Sequence, residues 1–168
     1  MRIFLDANIL FSGPKSNGAV RELLRLLVEA GHECCVDAYV IEEARRNLAL
    51  KAPHGLAVLT TLVSRMRVAP THPVDAASDI VPPLPEKDRP VLAAAINQDC
   101  AALVTGDRTH FGRHYGKTVN GVTIYSPRSI AEALLTSTAR EPKPDAYSQA
   151  FGRGGRHAGH ARSRLHGG

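Results

Sequence analysis

The 168-residue sequence contains no tryptophan and only four tyrosines and four phenylalanines. So few aromatic rings exclude an extended stacking platform for reading unpaired bases in succession. Its three cysteines, Cys34, Cys35 and Cys100, are an odd number in no metal-ligand spacing. That argues against a disulfide framework and a zinc module, and they read as buried thiols in a reducing, cytoplasmic setting. No apolar run approaches the ~18 residues of a membrane span. The longest candidate, residues 20–30, is interrupted by Arg21, Glu22, Arg25 and Glu29. Asp6 sits where the apolar stretch of a secretory leader would run, so neither a leader nor a membrane association is expected.

What is present is a globular composition, 43% apolar and 22% charged. That excludes wholesale disorder, a collagen-like repeat and a coiled coil. One domain of this size buries roughly two thirds of its unfolded surface without staples. The net charge of +5 is unevenly distributed. Residues 1–138 carry 15 Lys/Arg against 14 Asp/Glu, whereas residues 139–168 carry six basic side chains against Glu141 and Asp145. The basic tail is rich in Gly, Arg and His and has little to bury, so it is expected to be disordered. Such a tail either adds salt-dependent attraction to a phosphate backbone or is an extension without a task.

Between the ends, two periodicities alternate. Short apolar runs at 2–5, 33–36, 67–69, 101–105 and 122–125 read as strands. Helical spacing appears over 18–31, about 40–50, 56–63, 88–98 and 127–135. Residues 7–17 receive no element, and residues 70–86, with five prolines, read as an irregular connection. Strands alternating with helices predict a parallel sheet covered on both faces, with its chemistry at the carboxyl ends of the strands. Two strand ends carry an aspartate: Asp6 with Asn8, and Asp107 after Thr105 and Gly106.

Two helices add carboxylates. The stripe Val91, Leu92, Ala95, Ile96 centres on the radial direction of Asp88, which therefore points along the buried face or serves as the helix N-cap. Of the adjacent pair Glu42 and Glu43, Glu42 lies opposite the apolar stripe and can pair with Arg46. Glu43 is the one placed to face a cleft. Grouped carboxylates repel unless a cation offsets them, and hard oxygen donors suit Mg²⁺ or Mn²⁺.

The stretches RIFLDANILFSG, AYVIEEARRNL and PEKDRPVLAAAINQDCAALVTGDRTHFG resemble, in order and spacing, the three signature blocks of the PIN domain. The resemblance covers roughly residues 1–136. It implies a three-layer α/β/α sandwich around a mostly parallel five-stranded sheet, and a metal-dependent ribonuclease acting on single-stranded or loop RNA. It also implies similarity to VapC-type toxins, with a cognate antitoxin as partner and homodimerisation common. On it, Asp6, Glu43, Asp88 and Asp107 correspond to the acidic quartet that holds Mg²⁺ or Mn²⁺, and Asn8 and Thr105 to supporting polar residues. One departure stands out. Many members carry a further acid after the Thr-x-Asp motif, where this chain has Arg108, Thr109 and His110.

Arg45, Arg89, Arg108 and Arg113 are candidates for phosphate contacts, and His110 for positioning substrate or moving protons. Tyr39 and Phe111 are candidates for base stacking, with core burial the competing role for Phe111. A catalytically silent PIN-like module binding RNA or protein would share the fold, although the full acid quartet counts against it. A phosphatase or receiver-type domain wants Asp-x-Asp, and position 8 is Asn. A dinucleotide-binding domain is excluded because residues 12–18 match no phosphate-binding glycine pattern.

Overall fold

The protein is described by a computed structural model over residues 1–70, 84–86 and 88–138. The basic tail and most of the proline-rich connection lie outside the described residues. The strands are β1 (Arg2–Leu5), β2 (Glu33–Asp37), β3 (Arg67–Ala69), β4 (Ala102–Val104), β5 (Thr118–Val119) and β6 (Val122–Tyr125). The helices are α1 (Ala7–Lys15), α2 (Ala19–Glu29), α3 (Ala38–Lys51), α4 (Leu56–Val63), α5 (Arg89–Asn97) and α6 (Pro127–Thr138). Among the described residues, no helix is long and apolar enough to cross a membrane.

The sheet runs β3-β2-β1-β4-β6-β5. The first five strands in this order are parallel, as the sequence predicts, and β5 adds an antiparallel edge to β6. β5 escapes detection because two residues carry no periodicity; Asn120 and Gly121, both at positive φ, turn the chain back into β6. The central strands are solidly apolar because both faces are covered: Ile3, Phe4, Leu5, Ala102, Leu103 and Val104 are wholly buried. Register pairs Phe4 with Cys35 on one side and Leu103 on the other. All three cysteines are buried free thiols, and burial pushes Cys34 up to about 11.

Right-handed crossovers leading from β1 to β2 to β3 place α1–α4 on one face, and the reversed step to β4 places α5 on the other. In agreement, α1 packs on α2, α3 and α4, while α5 packs on β1 and β4. Buried Val40, Ala44 and Leu48 seat α3, whose N-terminus is capped by the Asp37 carboxylate at 3.0 Å from the Val40 amide. Leu24 and Leu27 seat α2, each fully buried and contributing roughly 1.5–3 kcal/mol.

Residues 7–17, left without an element by periodicity, contain α1. Its Pro14 falls in the last turn, where an interrupted ladder matters least. The carbonyls of Gly13 and Pro14 are satisfied by the Arg21 guanidinium at 2.9 and 2.8 Å. Gly13 permits close packing with α2, since a Cβ there would lie 2.7 Å from Leu24 Cδ1. The consequence for the site is direct: α1 starts at Asp6 without an intervening loop, so Asn8, Phe11, Ser12 and Lys15 come to share one helical face.

The chain leaves β1 toward β2 on one side, and β4 returns on the other side of β1. The carboxyl ends of β1 and β4 therefore flank the topological switch point, where open parallel sheets form a crevice.

Candidate active site

A cleft of about 500 Å³ opens at this switch point, lined by Asp6, Asn8, Glu43, Asp88, Gly106 and Asp107 among others. All four sequence-predicted acids thus face one space, brought there by β1, α3, α5 and β4.

The floor of the cleft is a hydrogen-bonded ring joining the ends of β1 and β4. The Asp6 carboxylate, 7% exposed, accepts bonds of 2.7 Å each from the Ala7 amide, the Asn8 side-chain amide and the Thr105 hydroxyl. Asn8 returns its Oδ1 to the Gly106 amide at 2.7 Å, and Thr105 Oγ1 accepts from the Asp107 amide at 3.1 Å. Asn8 and Thr105, the two residues expected to support the carboxylates, thus bridge the ends of β1 and β4. Burial still raises the Asp6 carboxyl above its ordinary value, because its hydrogen bonds do not repay the loss of water and the charge of Glu43 pushes the same way.

Asp107 sits in a different setting. Its Oδ1 accepts from the backbone amides of Thr109 and His110 at 3.0 and 3.1 Å, and its Oδ2 lies 2.7 Å from His110 Nδ1. Desolvation pushes this carboxyl up, but the ring and backbone bonds from His110, its charge and the Thr109 amide together hold it below the usual range. His110 Nδ1 is also 3.2 Å from Asp88 Oδ2. The imidazole therefore stands beside two members of the quartet, at the position where the family resemblance implies a further acid. The sequence marks it as a positioning or proton-moving residue; only the fold shows which carboxylates it joins.

Asp88 is the residue immediately before α5, yet its side chain makes no capping bond to that helix. The N-cap alternative is overturned: residue 88 has helical backbone angles, unlike the extended Asp37, so its carboxylate does not lie over the first amides. Glu42 behaves as the helix geometry predicts, paired at 2.6 Å with Arg45 and 3.1 Å with Arg46. Glu43, one position on, is exposed and lines the cleft.

The other candidates separate. Tyr39 is 40% exposed and lines the cleft; its phenol is raised by burial, then by the field of Glu43, Asp88, Asp6 and Asp37. Phe111 is wholly buried and belongs to the core. Arg45 is engaged with Glu42, and Arg89 donates to the Leu84 carbonyl at 3.0 Å, fastening the turn before α5. Arg113 Nε bonds His114 Nε2 at 3.1 Å. Arg108 lines a second depression with Tyr115, Ser126 and Arg128, which meets the first at Gly106 and Pro127. Phe11, Asn47 and Lys51 line the cleft and were not singled out. The signal was available in part: Tyr39, Glu43, Asn47 and Lys51 follow one another at helical i+4 steps.

The donor set fits a divalent cation. Ligand atoms of Asp88, Asp107 and His110 lie within 4.8 Å of one another, and Asp6 and Glu43 face the same cleft. These are hard carboxylate oxygens with one imidazole, suited to Mg²⁺ or Mn²⁺ rather than to a thiolate-selecting metal. Burial, with the charge of Glu43 adding to it, disfavours the charged form of Asp6, which a cation in the cleft would favour.

The sequence profile of the PIN domain matches residues 2–109. Among solved structures, VapBC2 from Rickettsia felis, bound to a DNA fragment from its promoter, is similar in fold at 15% identity and a TM-score of 0.54. The match covers 75% of this chain and 98% of that one. VapBC-1 from nontypeable Haemophilus influenzae is similar at 13% identity and a TM-score of 0.51, covering 76% and 99%. No curated protein sequence matches the chain. With the profile spanning more than half of the residues and the fold in agreement, the chain belongs to the PIN domain family.

Proposed function

We propose that the protein is a Mg²⁺- or Mn²⁺-dependent ribonuclease that hydrolyses phosphodiester bonds of single-stranded or loop RNA, and that it is the toxin of a cytoplasmic toxin–antitoxin pair. The observation that carries this reading is the convergence of Asp6, Glu43, Asp88 and Asp107 on one cleft at the switch point of the sheet. Fold similarity to VapBC structures supports the toxin assignment. A cognate antitoxin would then cover the acidic cleft, and the protein would pair with a second copy as related toxins commonly do.

Asp6, Asp88 and Asp107 would hold the cation, with Glu43 at its exposed side. When bound, such a cation polarises the phosphodiester and lowers the pKa of water at neutral pH. The chain's own groups do the positioning. Thr105 and Asn8 hold Oδ2 of Asp6 and the Ala7 amide holds Oδ1, so that its carboxylate does not rotate away from the cleft. His110 fixes Asp107 in the same way, and Asp88 Oδ2 lies 3.2 Å from the same ring nitrogen. Glu43 orients the attacking water by accepting its hydrogen bond. Arg108, in the adjoining depression, contacts the backbone beyond the cut.

The test is cleavage of a labelled, unstructured single-stranded RNA with Mg²⁺, with Mn²⁺ and with excess chelator, beside Asp6→Asn prepared identically. Metal-dependent cutting that disappears in the variant is expected. Calorimetric titration of the cation into both proteins separates a narrow RNA preference from inactivity. Binding by wild type alone keeps the enzyme, and no binding by either leaves a catalytically silent RNA- or protein-binding module.

A further inference from the structure

The cleft has a second end. Along α3 the residues Tyr39, Glu43, Asn47 and Lys51 all line it, and Lys51 lies about 12 Å beyond Glu43 at ~1.5 Å per residue. Opposite, α1 contributes Phe11 and Ser12. Two ammonium groups converge on the Phe11 ring there: Lys15 Nζ lies 5.3 Å and Lys51 Nζ 5.9 Å from its centroid. Among the described residues, neither lysine has a carboxylate partner, although Glu22, Glu29, Glu33, Glu42 and Glu132 are all paired with arginines.

Two like charges gathered on one ring, without a counter-ion from the protein, cost electrostatic energy that an anion would recover. The ring also restricts where the ammonium groups go, since each is attracted to its negative face. Lys15 and Lys51 end their helices, so the carbonyl ends of α1 and α3 tolerate them without explaining their convergence on a single side chain.

We propose that Lys15 and Lys51, set around Phe11, form an anion subsite that takes a backbone phosphate of a single-stranded nucleic acid whose reacting phosphodiester lies over the carboxylates. The subsite rests on the nuclease reading of the acidic end and deepens it, because it gives the strand a direction along α3. Phosphate contacts of this kind set position and carry no sequence information. A strand too short to reach from the carboxylates to Lys51 gains nothing from the pair, whereas a longer one does.

The experiment measures binding of a fluorescent single-stranded RNA to the full chain carrying Asp6→Asn, in chelator, as a function of salt. The same protein carrying Lys15→Gln and Lys51→Gln in addition is the comparison, with Lys15→Arg and Lys51→Arg as the charge-preserving control. Each phosphate neutralised on a single strand contributes about 0.7 to the slope of log affinity against log salt, so losing this one-phosphate subsite in the glutamine pair lowers that slope by about 0.7. Between 50 and 200 mM salt the parent then loses about 2.6-fold more affinity than the glutamine variant. The arginine pair retains the parent slope, which loss of packing alone would not produce. An unchanged slope in the glutamine variant, or no binding by the parent, overturns the subsite. Cleavage by the wild type is scored separately, so an active nuclease with an unchanged slope removes the subsite and leaves the active site standing.

Discussion

Asp6 and Asp107 stand at the ends of neighbouring parallel strands, face one cleft and are displaced in opposite directions from the same ordinary aspartate value of 3.8. Asp6 is buried, and its hydrogen bonds from Thr105, Ala7 and Asn8 do not match the water it has lost. Asp107 is half-buried and holds its charge because His110 and the backbone of its own turn face it. The difference teaches that one residue type at two strand ends is divided by its surroundings. Asp6 is raised chiefly by its loss of water, a cost that a cation beside it would offset, and Asp107 is already organised by an imidazole.

The largest expected effect comes from removing either charge. Asp6→Asn and Asp107→Asn should each reduce RNA cleavage on the order of 10³-fold, corresponding to ~4 kcal/mol of transition-state stabilisation. Single-turnover assays at saturating Mg²⁺ check this, and activity within tenfold of wild type for Asp6→Asn would remove it from the site. His110→Ala comes next. It should lower cleavage roughly 10–100-fold by freeing Asp107, with circular dichroism unchanged. Replacement by Gln should recover part of the activity, since its amide can still donate to Asp107.

Thr105→Val sharpens the contrast on the Asp6 side. It preserves shape while removing the donor to Asp6 and the acceptor for the Asp107 amide, and should cost about 1–3 kcal/mol in urea unfolding. The pH dependence separates the two aspartates by sign. For Asp6 the folded state binds the extra proton above 3.8, so its contribution to stability falls as pH rises through that window. For Asp107 the unfolded state binds the extra proton below 3.8, so its contribution rises with pH and is lost as pH falls through the folded value. In chelator, the unfolding midpoint of Asp6→Asn minus that of wild type should therefore increase with pH, and the same difference for Asp107→Asn should decrease. Matching slopes would dissolve the comparison. The smallest effect belongs to Glu42→Gln, which touches only exposed arginines and should leave cleavage unchanged, whereas Glu43→Gln at the next position should lower it.

Much of this arrangement was legible from local pattern. The apolar runs of β1 and β4 ending in aspartate, and the i, i+4 seating of α3 that turns Glu42 outward and Glu43 toward the cleft, follow from strand and helix geometry alone. The covered parallel sheet follows from alternation of the two periods. What escaped had no local signature. Gly13 and Pro14 disfavour a helix by propensity, and α1 forms over them because Arg21 satisfies its last carbonyls and Leu24 packs against the glycine. With α1 unassigned, Phe11 and Lys15 could not be placed on the face of Asn8, and the cationic end of the cleft stayed hidden.

The sequence by itself determined the five parallel strands, the family and the four carboxylates, because those depend on periodicities and residue types that neighbours a few positions away decide. Tertiary structure decided which groups meet. His110 meets Asp88 across 22 residues of chain, Thr105 reaches Asp6 across 99, and Lys51 meets Lys15 over one aromatic ring. Those meetings depend on where the crossovers return each strand, and the energy of a charge depends on what it meets.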